Sequence, residues 1–267
     1  MRRIGALVRK DWIELRRNKQ VLVPIVMLPF TFSIFLPGAL LLMARTPEGA
    51  DSFARLTDFL GSVPREQFPE VWTSEQVLVR SMAQFFFAPF FVMIPVVIST
   101  LTAATAIVGE RERHTVEGLL HTPLTDREFV FAKILATWVP AVAITWVGFG
   151  AYVLVVHATI GDLFTGQFFP DTTWAVLIAG LVPLVAFGAV CAIMLISGRA
   201  RTMQGAQAIS GLLVLPVIVS LIFQATGVLL FDWYLVLGAC VVTGIIDLVL
   251  FLLAVSRFDR ERIVTQQ

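Results

Sequence analysis

The sequence has little charge and few residues of the kinds that hold metals or form disulfides. Only 15% of its 267 residues are Asp, Glu, Lys or Arg, against about 25% in a typical soluble domain. Its 20 basic and 19 acidic residues nearly cancel, so the chain lacks the basic field that attracts nucleic acids. The two cysteines, Cys191 and Cys240, both lie inside apolar runs, where a thiol behaves as a small hydrophobic group. We therefore expect no nucleic acid partner, no metal site and no disulfide framework.

The sequence also lacks the common catalytic motifs. It contains no Gly-x-x-x-x-Gly-Lys-Ser/Thr loop that could cradle nucleotide phosphates. Neither His-Glu-x-x-His nor Gly-x-Ser-x-Gly occurs, and the three histidines, His114, His121 and His157, are scattered along the chain. We expect no catalytic residue and no bound cofactor in this chain.

Long apolar runs, by contrast, are abundant, since 57% of the residues are hydrophobic. A membrane-spanning helix needs about 20 consecutive apolar residues. Five uncharged runs reach this length, and a sixth is interrupted only by Asp247. The sequence therefore predicts an all-α polytopic membrane protein, with residues 1–267 forming one transmembrane domain of six helices. The predicted spans are residues 21–44, 84–109, 130–157, 174–197, 205–230 and 234–256.

The charges between these spans predict the orientation of the chain. Six spans place both termini on one side, which then carries 16 basic and 9 acidic residues, while the other side carries 4 basic and 9 acidic residues. Because basic loops stay in the cytoplasm, the topology is predicted to be N-in and C-in.

Residues 1–19 have the pattern of an amphipathic helix. Ile4, Val8, Trp12 and Leu15 share one face, and most of the basic residues lie elsewhere. This favours a helix lying along the inner membrane surface, with Trp12 and anionic lipid headgroups as anchors. A solvated basic leader is the alternative.

Residues 45–80 form the longest predicted outer loop. The segment is too apolar for a simple linker, with large apolar residues at helical spacing between Phe53 and Leu60. It either rests on the outer membrane interface or caps the mouth of a pathway.

Eight prolines lie inside the predicted spans. Each frees a backbone carbonyl and can kink its helix, which either provides a hinge for a switching transporter or is merely tolerated in a membrane helix. They are Pro24, Pro29, Pro37, Pro89, Pro95, Pro140, Pro183 and Pro216.

The inner segment 110–128 has an unusual arrangement of charged and apolar residues. On a helix, Arg113 can pair with Glu110 and Glu117, and an apolar patch follows before Pro123 interrupts the helix. Thr125 and Glu128 then form a capping box that starts the next helix. Such a segment either docks on a soluble partner or folds back on the membrane surface.

The residues Gly109 to Thr125, followed by Glu128 and Lys133, resemble the corresponding loop of bacterial ABC-2 type exporter permeases. In that family the segment between spans two and three is a coupling helix, which sits in a cleft of an ATP-binding subunit. His114 stands where family members often carry glycine or another small residue. The positions that the resemblance assigns to coupling are Glu110, Arg113, Thr115, Val116, Glu117, Leu119, Leu120 and Pro123.

The resemblance implies an assembly rather than a lone transporter. ATP and Mg would be bound by separate ATP-binding subunits, and this chain would pair with a second permease, as a homodimer or a heterodimer, in the lipid of a bacterial or archaeal cytoplasmic membrane. It would export a substrate that the sequence does not identify. The first, second and fifth spans line the path in this family, so Gln207, Ser210 and Gln224 are candidate pathway residues.

Asp247 leaves two other functions open. A carboxyl inside a span is a candidate ion-binding group, so the chain could be an ion-coupled secondary transporter. A protonated Asp247 bonded to a neighbouring helix would instead be structural. The third possibility is a membrane anchor without transport, whose inner segment only recruits a soluble protein.

Overall fold

The computed structural model describes residues 2–46, 49, 68–112, 126–166, 168–197, 215, 218–219 and 232–257. Throughout these ranges the secondary structure is helical and contains no β-strand, which confirms the predicted all-α fold.

Five helical stretches within the described residues are long and apolar enough to cross a membrane. We call them the first, second, third, fourth and last spans: Lys19–Ala44, Ser74–Ala106, Glu128–Leu163, Thr172–Leu195 and Trp233–Ser256. The predicted span 205–230 lies outside the described residues except for Leu215, Ile218 and Val219. The total of six spans therefore stays a prediction.

Two breaks set the beginnings of the first and second spans. The N-terminal helix, Arg2–Arg17, is followed by Asn18, whose side chain caps the next helix by accepting a hydrogen bond from the Gln20 N–H. Thr73 and Gln76 form a capping box at the start of Ser74–Ser81, which satisfies N–H groups that a helix start leaves unpaired.

The helix that contains the second span begins at Ser74, ten residues before the predicted span boundary at residue 84. The prediction used Arg80 as the end of the uncharged run, but Arg80 lies inside the helix and is buried. A charged residue can lie within a span when it is paired. The predicted outer loop 45–80 therefore ends in helix.

Three spans contain a π-helical segment. Phe30–Phe35 interrupts the first span between Lys19–Pro29 and Leu36–Ala44. Met82–Phe86 precedes the long helix Ala88–Glu112, and Leu177–Leu181 separates Thr172–Val176 from Val182–Ser197. Each segment widens the backbone hydrogen bonds from i→i−4 to i→i−5.

The third and last spans are continuous. The third combines most of the 35-residue helix Asp126–Ile160 with the 3-10 turn that follows it at Gly161–Leu163. The last lies in Trp233–Arg257.

The core has an aromatic part and a small-residue part. The aromatic part surrounds Trp174, whose ring lies 5.2 to 5.5 Å from the rings of Phe91, Phe149, Tyr152 and Phe169. The other part joins residues such as Ala104, Ile134 and Ile193 from the second, third and fourth spans with Ala254 of the last span. Following the predicted topology, we call the aromatic end of the bundle the outer end and the small-residue end the inner end.

Candidate functional site: polar contacts at the two ends of the bundle

The N-terminal helix packs against the inner end of the third span. Its buried residues are Leu7, Asp11 and Leu15, which are spaced by four and therefore share one face. Leu7 packs with Phe129 and Ala132. The sequence predicted this helix but not the burial of Asp11, and its placement on the membrane surface stays a prediction.

Asp11 and Lys133 form a buried ion pair at this contact. The two carboxylate oxygens of Asp11 lie 3.0 and 3.1 Å from Lys133 Nζ, and the side chains are 2% and 0% exposed. Lys133 Nζ also lies 5.6 Å from the centre of the Phe129 ring. The pair joins the N-terminal helix to the third span in surroundings that exclude water.

Trp12 adds a hydrogen bond one turn further along the third span. Its indole N–H donates to the Ala136 carbonyl at 2.9 Å. This is the carbonyl four residues before Pro140, and proline has no N–H with which to bond it. Trp12, which was predicted to anchor in the membrane interface, therefore also supplies the hydrogen bond that Pro140 cannot donate to Ala136.

The predicted coupling segment lies between two described helix ends. Glu110 is in the last turn of Ala88–Glu112, and the next helix begins at Asp126. Seven of the predicted coupling residues lie outside the described part of the chain: Arg113, Thr115, Val116, Glu117, Leu119, Leu120 and Pro123.

At the outer end, Arg45 joins the end of the first span to the end of the third. Its guanidinium forms two hydrogen bonds with the Asp162 carboxylate, at 3.0 and 2.6 Å. It also donates to the Thr159 carbonyl at 2.6 Å. Planar two-point pairing of this kind fixes orientation as well as distance.

A second polar network joins the outer ends of the second and fourth spans. Arg80 donates to Gln84 at 2.6 Å, and Gln84 donates to Asp171 at 2.5 Å. The Arg80 guanidinium lies 3.9 Å from the Asp171 carboxylate and 5.5 Å from the centre of the Phe169 ring. Asp171 also caps the fourth span by accepting from the Trp174 N–H at 3.1 Å. This network explains how Arg80 is accommodated inside a span.

Asp247 of the last span lies against Gly188 of the fourth. A methyl group on residue 188 would overlap with Asp247 Oδ1, so the carboxyl would have to move to admit a larger residue there. Asp247 is buried, and its Oδ2 has no hydrogen-bond partner among the described residues. The predicted bond from a protonated Asp247 to a neighbouring helix stays a prediction.

Comparison with known families gives one decisive result. The model of the ABC-2 family transporter proteins matches residues 5–253, nearly the whole chain. The chain belongs to the ABC-2 transporter family. It is a multi-pass membrane permease, and the resemblance seen in segment 110–128 is confirmed at the level of the family. No curated protein gives a match to the chain.

The ABC-2 assignment leaves the predicted pathway residues untested. Gln207, Ser210 and Gln224 lie outside the described residues, and Asp247 is the only predicted pathway or interface residue whose surroundings are known. Among the polar contacts that the structure adds are the charged ones of Asp11, Arg45 and Arg80. Of these three residues, only Asp11 had a usable sequence signal, its four-residue spacing from Leu7 and Leu15.

Proposed function

We propose that this chain is the permease subunit of an ATP-driven exporter in the cytoplasmic membrane of a bacterium or archaeon. ATP and Mg are bound by separate ATP-binding subunits, and a second permease, identical or different, completes the path. The observation that carries the proposal is the ABC-2 family match over residues 5–253. The absence of a P-loop from the sequence supports the placement of ATP hydrolysis in another chain.

The proposed mechanism is mechanical. Closure of the ATP-binding subunits displaces segment 110–128, and the two helices that flank it carry the displacement into the membrane. The helix Asp126–Ile160 is continuous over 35 residues, which corresponds to about 52 Å at 1.5 Å per residue. Just beyond its far end, Asp162 pairs with Arg45 at the end of the first span, so a push at the inner end tilts the third span against the end of the first.

Differential contact drives this change. The ATP-bound and nucleotide-free partners must bind the coupling segment with different contacts. A ligand shifts a conformational equilibrium only when its affinities for the two conformations differ. Glu110, Arg113 and Glu117 supply charges, and Leu119 and Leu120 supply the apolar surface for those contacts. Gln207, Ser210 and Gln224 are proposed to face the path or the second permease.

Copurification with an ATP-binding-cassette subunit from the same organism tests the proposal. The wild-type chain should retain that subunit in mild detergent and change its rate of ATP hydrolysis in liposomes. Glu117→Ala should weaken retention or abolish the change in rate. Glu70→Ala is the matched control, since Glu70 is exposed and lies on the predicted outer side. A wild-type chain that neither binds the subunit nor alters its hydrolysis would overturn the proposal.

The Oδ2 of Asp247, which has no hydrogen-bond partner among the described residues, favours ion-coupled transport as the second candidate function. Under this alternative, liposomes containing only this chain should conduct protons or sodium ions, and Asp247→Asn should stop the flux. Pyranine trapped inside the liposomes reports protons, and radioactive sodium reports the other ion. Absence of both fluxes, together with ATP-dependent behaviour of the complex, would exclude the alternative.

A further inference from the structure

We infer that the Asp11–Lys133 ion pair locks the N-terminal helix to the third span, so that movement of the coupling segment is also delivered to the start of the first span. Asp11 and Lys133 are thus positioning residues. The inference rests on the proposed function, because it concerns how the ATP-driven displacement is distributed among the spans.

The first step of the argument is the position of the contacts. Lys133 and Ala136 bind the N-terminal helix, and Phe129 and Ala132 pack on it. All four residues lie within the first three turns of the helix that begins at Asp126. The N-terminal helix therefore holds the third span next to the point where the coupling segment enters it.

The second step is the connection to the first span. The N-terminal helix ends at Arg17, Asn18 caps the following helix, and the first span begins at Lys19. Only Asn18 separates the two helices, so one helix cannot move far without the other. A displacement of the third span's inner end is consequently passed through the N-terminal helix to the inner end of the first span.

The third step is the strength of the attachment. Removing one partner of a buried ion pair leaves an uncompensated charge, whereas an exposed pair contributes little. Asp11 and Lys133 are almost completely buried. By contrast, Glu14 lies one turn away on the same helix, and its pair with Lys10 is 3.5 Å long with both side chains exposed. Of these two ion pairs, the buried one joins the two helices, and it does so beside the Trp12 hydrogen bond and the Leu7 packing.

The first experiment measures ATP hydrolysis by the complex with the ATP-binding subunit in liposomes. Asp11→Asn and Lys133→Met should each reduce the effect of the permease on kcat at least about fivefold. This factor is the lower end of the range that coupling between two sites usually produces. The KM for ATP should stay unchanged, because nucleotide is bound elsewhere. Glu14→Gln is the matched control and should behave as wild type.

Rescue separates positioning from a general loss of structure. Asp11→Lys combined with Lys133→Asp restores opposite charges and should recover most of the effect on kcat. Only variants that reach the membrane and retain the ATP-binding subunit are compared. If the single variants meet this condition and couple as wild type does, the inference is overturned.

A cross-linking experiment tests the lock without disturbing the ion pair. Leu7→Cys and Ala132→Cys are introduced after Cys191→Ala and Cys240→Ala, and the two new thiols are joined by a short bifunctional reagent. Helices that move as one unit should tolerate the cross-link, with ATP hydrolysis by the complex unchanged. Inhibition by the cross-link would mean that the helices separate during the cycle and would overturn the inference.

The two proposals fail in different ways. If the wild-type chain has no effect on the ATP-binding subunit, the proposed function itself is wrong. If wild type couples and the cross-linked chain is inhibited, the permease function stands and only the locked N-terminal helix is rejected.

Discussion

The indole N–H of Trp146 donates a 2.9 Å hydrogen bond to the carbonyl of Ile178 in the neighbouring span. This carbonyl lies in the π-helical segment Leu177–Leu181, where the Val182 N–H bonds to Leu177. In the same pattern, the Ile178 carbonyl would accept from residue 183, but this residue is Pro183 and has no N–H. Trp12 performs the same task for Ala136, before Pro140. Two prolines that the sequence marked as hinges or as tolerated residues are thus sites of interhelical hydrogen bonding.

The Trp12 bond predicts a double-mutant result. Trp12→Phe keeps the ring but removes the donor, and should lower the free energy of unfolding by about 1–2 kcal/mol. Pro140→Ala supplies the missing helical N–H, so Trp12→Phe should have a smaller effect in that background. Unfolding in mixed detergent micelles measures both. An equal effect of Trp12→Phe in the two backgrounds would contradict the assigned role.

The Asp247–Gly188 contact predicts a steric conflict. Gly188→Ala places a methyl group on the Asp247 carboxyl and should destabilise the protein by about 1–3 kcal/mol, as overpacking does. Asp247→Ala should relieve much of this loss when the two changes are combined. Gly238→Ala is the control, since a methyl group there meets open space. Thermal unfolding in detergent ranks the variants, and equal melting temperatures for Gly188→Ala and Gly238→Ala would contradict the packing.

The two outer networks should differ in strength. Arg80→Met removes a buried guanidinium from Gln84 and Asp171, and should cost about 2 kcal/mol. Arg45→Met removes a pair whose Asp162 side chain is 61% exposed, and should cost under about 1 kcal/mol. The free energy of unfolding of the two variants, measured side by side, checks the order. The reverse order would show that the Arg80 network does not stabilise the outer end.

Tyr152 provides a fourth prediction. Its buried hydroxyl donates to the Ala83 carbonyl at 2.7 Å, within the π-helical segment Met82–Phe86. Tyr152→Phe should therefore lower the free energy of unfolding by about 1–2 kcal/mol. Tyr234→Phe is the control, because Tyr234 is the only other tyrosine and is exposed. A similar effect of both changes would argue against the buried bond.

The sequence predicted the helical class and the approximate positions of the described spans because a bilayer requires long uncharged runs. It did not predict that the helix of the second span extends back to Ser74, since a count of charges cannot recognise that Arg80 is paired with Gln84 and Asp171. Asp171 precedes the fourth span and lies 87 residues after Gln84 in the sequence, so the pairing depends on tertiary packing.

The candidate site was less predictable for the same physical reason. The segment 110–128 carries a local motif, so its resemblance to the family could be read from adjacent residues. The Asp11–Lys133 pair joins positions 122 residues apart, and nothing in either local sequence specifies the other. Burial of charge depends on tertiary packing, which periodicity alone does not contain.

The π-helical segments bear on how insertions and deletions act in this chain. Each of Phe30–Phe35, Met82–Phe86 and Leu177–Leu181 accommodates one residue more than an α-helix of the same rise. Deleting one residue there would restore regular α-helix and leave the residues beyond it close to their present orientation, whereas deleting a residue from regular α-helix rotates everything beyond it by about 100°. The aromatic core and the small-residue core would then keep their neighbours. A change of one residue in length is therefore best absorbed at these three segments, whereas elsewhere in a span it reorients the part that follows.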